Sequence, residues 1–433
     1  MSNTPKLTNP FYVLLSLPST AMGFALCVQI SALSWILSTK YNLSIEHVGL
    51  VWLAGPLAGL LAQPIVGLIS DNVWFWGGRR RPFILIGGVT ASLMLVALPF
   101  LGEISEWSGA SILWTAVIVA LTLDLAINVG FNPTRSIIAD LTPEGEARTK
   151  GFTWMQTISG MFGVLAYVIG AVFTNYSLIY FGVFLVLIFN VVPAFLLKEP
   201  RELGKVAAHD APTEPASGHG KTNLPRLLHI YLAHAFTWLG VQTMFVFMFA
   251  YAKGAFFPGV VKLDGDEETA LGQVISISFL VMNIVGFVLP VAVLQPLSKK
   301  IGLVRTQTLC IFIMALGYGA IVLLGSGSAT LLYSLMAVVG IGWAAVVSLP
   351  FAIMSDSVDK TRMGLFMGIF NLSVVIPQII VSVGVGKMVE AAADKSLVFI
   401  ICTASLAVSA VLWALLKEDS TEPGEISMGA GGH

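Results

Sequence analysis

The sequence predicts an all-α membrane protein of twelve transmembrane helices, built as two six-helix bundles related by a pseudo-two-fold axis. Three observations carry this expectation. Charged residues make up only 11% of the 433-residue chain and hydrophobic residues 56%, where a soluble domain carries about 25% charged residues. The apolar residues fall into continuous runs long enough to cross a bilayer, and the order of features in the first half returns in the second.

A bilayer core takes roughly 20 apolar residues per helix. Twelve runs meet this requirement: 11–37, 47–69, 83–101, 111–139, 152–174 and 177–197, then 226–252, 271–294, 304–325, 330–354, 363–389 and 396–416. They are continuous rather than alternating, which excludes a membrane β-barrel. The opening "MSNTPKLTNPFYVLL" lacks the charged start and small-residue cleavage site of a signal peptide, so the first run is expected to stay as a helix. Residues 198–225, with "GKVAAHDAPTEPASGHGKTN", read as a flexible cytoplasmic linker between an N-terminal bundle (1–197) and a C-terminal bundle (226–416). Residues 417–433 read as a disordered tail.

Orientation follows from Lys and Arg. With both termini in the cytoplasm, 18 of the 23 lie inside or at the inner edge; only Lys40, Lys253, Lys262, Lys387 and Lys395 lie outside. The halves also align. "NPTRSIIADLTPEGEARTKGF" follows span four and "LPFAIMSDSVDKTRMGLF" follows span ten, so that Pro133 matches Pro350, Asp140 matches Asp356 and Gly151 matches Gly364, at offsets of 217, 216 and 213. Six-helix repeats of this kind place a binding site near the membrane midplane, at the repeat interface.

The net charge of −1 argues against a nucleic-acid partner, and a single chain is expected to suffice as the functional unit. Cys27, Cys310 and Cys402 lie in separate apolar runs and read as small hydrophobes, without metal-ligand spacing. No nucleophile–base set appears, so a membrane enzyme is the least favoured class.

The informative residues are polar ones inside the spans. Asp124 is the only ionisable residue between Trp107 and Arg135 and falls near the middle of span four. A charged side chain at that depth costs roughly 2.5–3.5 kcal/mol and commonly marks an ion or proton path. Burial penalises a carboxylate against the neutral acid, which suits a proton carrier; the plainer alternative is a hydrogen bond between helices. Asn128, Phe131 and Arg135 recur on the same helical face. Arg135, about 16 Å from Asp124 along the axis, is assigned to an inner gate with Asp140.

No Lys or Arg sits at mid-span, which points to a neutral or cationic ligand rather than an anion. The neutral polar groups within spans are Gln29, Ser31, Gln63, Asn128, Gln242, Asn283, Asn371 and Gln378, with Trp238 and Trp343 at mid-span. Amide donors beside an aromatic platform suit a sugar, so Gln29, Asn128, Trp238, Gln242, Trp343, Asn371 and Gln378 are the candidate binding residues. Trp74, Trp107, Trp114 and Trp413 fall near interfaces and read as an aromatic belt. His229 and His234 read as packing residues, and the glycines of "GPLAGLLAQPIVG" as sites of close helix contact.

The loop "GLISDNVWFWGGRRRPFI" (67–84) resembles the signature between spans two and three of the major facilitators. The resemblance implies a cytoplasmic gate built from Asp71 with Arg79, Arg80 and Arg81, joined by Arg135, Asp140, Asp356 and Arg362. "LAGPLAGLLAQPIVGLISD", "LDLAINVGFNPTRSIIADL" and "GLFMGIFNLSVVIPQIIVS", and more weakly "GFALCVQIS", are similar to the plant sucrose–proton symporters and their bacterial and animal relatives, in the glycoside–pentoside–hexuronide branch. That similarity covers nearly the whole chain. It implies import of a neutral disaccharide by alternating access, no cofactor beyond the coupling proton, and Asp124 as the residue that takes the proton and helps bind the sugar. It also implies a bacterial inner membrane as the location. Two features differ from the plant proteins: "FVFMFAYAKG" (245–254) carries no acidic pair, and Ile45 stands where they carry a histidine, with His47 two residues on. Two alternatives stand beside this reading: an antiporter that exports cationic compounds, using Asp124 to hold the cation, and a non-transporting sugar sensor.

Overall fold

The computed structural model describes residues 7–60, 69, 73–143, 146–199, 223–355, 357, 358 and 363–417. Among them are eleven helices long and apolar enough to cross a membrane and one shorter apolar helix. In chain order they are α1 (Asn9–Thr39), the shorter α2 (Ile45–Leu60), α3 (Arg81–Ser108), α4 (Ile112–Leu141), α5 (Glu146–Val172), α6 (Asn175–Leu196), α7 (Leu224–Phe256), α8 (Gly265–Ile301), α9 (Leu303–Leu324), α10 (Ala329–Ser355), α11 (Phe366–Ala391) and α12 (Leu397–Leu415). An isolated bridge between Phe75 and Gly78 is the sole β feature among the described residues. The interior of the linker (200–222), the tail from Glu418, Gln63 and the downstream part of span two lie outside the described residues.

Among the described residues each expected span overlaps one of these helices, but several helices run further than hydropathy foretold. The third continues through a 3-10 turn at Leu98–Phe100, where Pro99 withdraws an N–H, and on to Ser108. The fifth starts at Glu146 rather than 152. The eighth starts at Gly265, where Asp264 accepts from the backbone N–H groups of Asp266 and Glu267 while Glu267 accepts in return from the Asp264 N–H. Such a capping box starts a helix in polar residues, which an apolar count does not detect.

The chain forms two compact units. One holds α1, α3, α4, α5 and α6 with Ala54 onward of α2; the other holds α7 to α12 with Asn42–Leu53. The dividing point has a local cause. Pro56 cannot donate to the carbonyl of Trp52, and the helix of span two is interrupted by a turn at Leu53. The segment before the break packs on α7 and α11. At Gly49 a Cβ would stand 2.8 Å from the Ser382 carbonyl, and the Glu46 N–H donates to Glu390 at 2.7 Å.

Within each unit the packing follows one plan. In the first, α1 lies on α5 and α6, and α3 lies on α4 and α6. In the second, α7 lies on α11 and α12, and α9 lies on α10 and α12. Each second-unit pair is the first-unit pair moved on by six helices, which is the internal repeat expressed as contacts. Without a hydrophobic drive between helices in lipid, such pairs depend on close approach of small residues. At Gly87 of α3 a Cβ would lie 2.8 Å from the Ala126 carbonyl of α4, and at Gly240 of α7 one would run into Leu406 of α12.

Trp107 and Trp114, expected in the aromatic belt, are 89% and 62% exposed. Trp413 departs from it: its side chain is fully buried, because that position of α12 turns toward its own unit and not toward lipid.

Gly87→Ala should lower the melting temperature of the purified protein measurably, since the obstructing atom is backbone and cannot swing aside. Gly265→Ala, where a Cβ meets nothing within 4 Å, should leave it unchanged. Equal melting temperatures for the two variants would count against this packing.

A buried carboxylate, its amide partner and the basic end of the first unit

Asp124 is the thirteenth residue of the 30-residue helix α4, about 18 Å from its start in a rod of about 45 Å. It is 5% exposed. Its Oδ2 accepts a 3.0 Å hydrogen bond from Nε2 of Gln29 on α1. Gln29 is also buried and opens a π-helical turn, Gln29–Leu33, within α1. Such single turns of wider helix often occur at functional sites. Asn128 lies one turn below, and its Nδ2 donates to the Asp124 carbonyl at 2.8 Å. Phe131 follows, with the Arg135 guanidinium 5.4 Å from its ring centroid. The expected polar stripe of α4 is thus present, and two glycines of α2 face it. A Cβ on Gly55 would sit 3.5 Å from the Asp124 carboxylate, and one on Gly59 would sit 3.8 Å from Asn128 Oδ1.

Among the described residues no cation stands within ion-pair distance of Asp124. Its partner is an amide, which carries both donors and an acceptor. Gln29 can donate to a carboxylate and, turned over, accept from a carboxylic acid. The pair can therefore accommodate Asp124 with or without its proton.

The basic end of this unit is more connected than the loop signature alone indicates. Arg79 and Arg80 are buried, and both bind Asp140: Nη2 of Arg79 at 2.8 Å and Nε of Arg80 at 3.3 Å. Arg81 has a different task. It donates to the Ala194 carbonyl in the last turn of α6 and to the Gly77 carbonyl, where a cation is favoured by unpaired carbonyls at a helix end. The backbone of this stretch turns back on itself, with Trp76 at φ +48° and Gly77 at +74°. Gly77 takes a conformation open to glycine, and Trp76 adopts it without that freedom.

Sequence reasoning missed Glu199. Its carboxylate, just beyond α6, accepts backbone N–H bonds from Arg79 (2.9 Å), Arg80 (3.1 Å) and Arg81 (2.8 Å). It caps the start of α3 from a distant part of the chain, as an anion at a helix N-terminus should. Gly78 is needed beside it, since a Cβ there would fall 2.6 Å from Glu199 Oε1. The available signal was an acid next to the end of span six, in a stretch read only as linker.

Asp140 is taken by Arg79 and Arg80, while Arg135, the other residue assigned to the inner gate, reaches back over Phe131 and makes no ion pair with Asp140. Five residues along a helix amount to about 500°, or about 140° apart around the axis, so the two side chains leave opposite sides of α4. Asp71, Asp356 and Arg362 lie outside the described residues.

In the second unit the other candidates form two groups. On α7, the Trp238 Nε1–H donates to Nε2 of His234 at 3.0 Å. The Trp238 ring meets Trp343 of α10 edge-on at 6.2 Å, and Trp343 meets Phe245 at 5.3 Å. His234 stacks on Phe370 at 4.7 Å. Trp238 is 2% exposed, while Trp343 is partly open. The second group is an amide pair, with Gln378 Nε2 donating to Gln242 Oε1 at 3.3 Å. Asn371 is half-buried on α11. His234 thus packs as expected and also fixes the ring of Trp238, a role visible in the four-residue spacing of 234 and 238.

These features, twelve apolar helices in two repeated units with a buried acid in the fourth, define a polytopic membrane transporter rather than an enzyme. The chain belongs to the Major Facilitator Superfamily, whose family model matches residues 15–382. It is 28% identical over 439 residues to "Sucrose transport protein SUT2" of Oryza sativa subsp. indica, covering 87% of each chain. It is 28% identical over 437 residues to "Sucrose transport protein SUC4" of Arabidopsis thaliana, covering 86% of this chain and 83% of that one. Among solved structures it is similar to the nucleoside transporter NupG, with TM-score 0.70 and 14% identity over 93% of this chain and 98% of that one. The inward open xylose transporter XylE from E. coli gives TM-score 0.68 and 14% identity over 96% and 97%. At these identities the two structures speak for the fold alone.

Glu199→Ala leaves three backbone donors of the α3 start without their acceptor. The expected loss is about 2 kcal/mol or more, since bonds to a charged group contribute roughly 1.5–3 kcal/mol. Chemical denaturation or thermal melting of the purified variant measures it; wild-type stability would contradict the cap.

Proposed function

We propose that this transporter is a proton-coupled symporter that imports a neutral disaccharide, sucrose, maltose or a related glucoside, by alternating access. The observation that carries the proposal is Asp124: a carboxylate 5% exposed within an apolar helix, held by the amide of Gln29 and by no cation among the described residues. A group in that setting can exchange a proton without dismantling an ion pair. The sucrose transport proteins among its relatives, and a "General alpha-glucoside permease" of Schizosaccharomyces pombe that is 29% identical over 189 residues, covering 39% of this chain and 34% of that one, support the choice of sugar.

In this reading Asp124 takes the coupling proton and Gln29 follows it by rotating its amide. Asn128, Gln242, Asn371 and Gln378 offer hydrogen bonds to hydroxyls, and the Trp238–Trp343 pair offers an apolar face for the sugar's C–H groups. Asp71, Arg79, Arg80, Arg81, Arg135, Asp140, Asp356 and Arg362 serve the cytoplasmic gate. Both termini face the cytoplasm in a bacterial inner membrane, the chain works as a monomer, and no cofactor is required beyond the proton. One charge moved through 100 mV is worth about 2.3 kcal/mol. At roughly 150 mV and half a pH unit the drive is about 4 kcal/mol, close to a thousandfold accumulation of a neutral sugar.

The test is Asp124→Asn in proteoliposomes. Uphill sugar uptake driven by a pH gradient should vanish, while downhill counterflow of labelled sugar persists. Unchanged accumulation in the variant would reject coupling through Asp124. Counterflow against sucrose, maltose and related glucosides identifies the sugar.

A further inference from the structure

In the second unit, a groove of about 670 Å³ opens between the start of α9 and the end of α12. Its apolar wall includes Leu309 and Phe312, which are 42% and 51% exposed, as residues facing lipid tails would be. Its rim carries two cations, Arg305 and Lys417. Both belong to the basic end of the chain's helices, and the sequence places Lys299 and Lys300 just upstream. Gly302, the residue before α9, brings no capping side chain, so a helix N-terminus adds its own preference for an anion.

Lys417 is not a loose end. The Arg226 Nη1 donates to its carbonyl at 2.6 Å, and His229 Nε2 bonds the Leu412 carbonyl at 2.8 Å. The last turn of α12 is therefore pinned to α7.

Trp413 closes the floor of this groove with a fully buried ring.

The groove also recurs. In the first unit a smaller one, of about 310 Å³, lies between α3 and α6 and is lined by Trp76, Arg81 and Phe195 among others. These are the third and sixth helices of their repeat, as α9 and α12 are of theirs, and each groove has an arginine at the start of its third helix.

We infer that the α9–α12 groove binds an anionic phospholipid of the cytoplasmic leaflet. Its phosphodiester would lie between Arg305 and Lys417, and an acyl chain would run along Leu309 and Phe312. Charge complementarity selects an anionic headgroup, and the apolar wall continuing from the rim selects a lipid over a free anion. The inference depends on the basic end facing the cytoplasm and not on the identity of the transported solute.

The full chain, purified in detergent, is titrated with dioleoylphosphatidylglycerol or dioleoylphosphatidylcholine, and bound lipid is counted by native mass spectrometry. Phosphatidylglycerol should bind in preference, and Arg305→Gln with Lys417→Gln should weaken it roughly tenfold or more, with phosphatidylcholine unaffected. Trp413→Phe, which keeps an aromatic floor and both cations, should leave it unchanged. Lys262→Gln, an exposed lysine on the opposite side by the charge pattern, should change nothing. Unaltered phosphatidylglycerol affinity in the double variant would overturn the site, as would an equal loss in Lys262→Gln. Displacement of the lipid by inorganic phosphate would overturn its assignment to a phospholipid.

Discussion

A carboxyl group set deep among apolar helices constrains the first unit more than any other feature. Asp124 must have a partner, because a polar group with none in that setting costs several kcal/mol. The partner is Gln29, the first residue of the π turn Gln29–Leu33 of α1, which reaches across to it on α4. Glycines on α2 leave room beside the carboxylate. A lysine or arginine in the place of Gln29 would fix the charge; an amide leaves both protonation states tolerable. Under the proposed symport, this carboxyl–amide pair is the proton site that is filled and emptied.

At the basic end of the same unit the charges are firmly committed. Asp140 takes two arginine side chains, and Glu199 takes the backbone of the same arginines. One acid holds the side chains and another holds the chain that carries them. Because Glu199 follows α6 and Asp140 lies at the end of α4, the loop before α3 is tied to two other helices of its unit. Arg79 and Arg80 are consequently buried, while the basic residues at the α9–α12 groove remain at the surface.

Much of this was legible in the sequence, for physical reasons. Lipid admits helices only as long apolar runs, so the twelve spans could be read directly. A lone acid in such a run, as Asp124 is, stands out for the same reason. The repeat was readable from Pro133 and Pro350 and reappears as repeated helix pairings. What could not be read depends on direction rather than composition. In a helix that is apolar on every side, periodicity does not say which face turns inward; hence Trp413 reads from sequence as a belt residue although it is buried. Glu199 lies in a stretch whose composition resembles a linker. The separation of Arg135 from Asp140 around α4 could have been obtained from helix geometry, and so could the break in span two from Pro56. Neither the π turn at Gln29 nor the packing of residues 42–53 with the second unit leaves a mark in composition.

The central claim is that filling the sugar site and protonating Asp124 belong to one transport event. Simultaneous measurement of proton and labelled-sugar entry into proteoliposomes at zero membrane potential tests it most directly. Addition of sugar outside should bring in about one proton per sugar molecule in the wild type. Sugar entry with no accompanying proton would contradict the account.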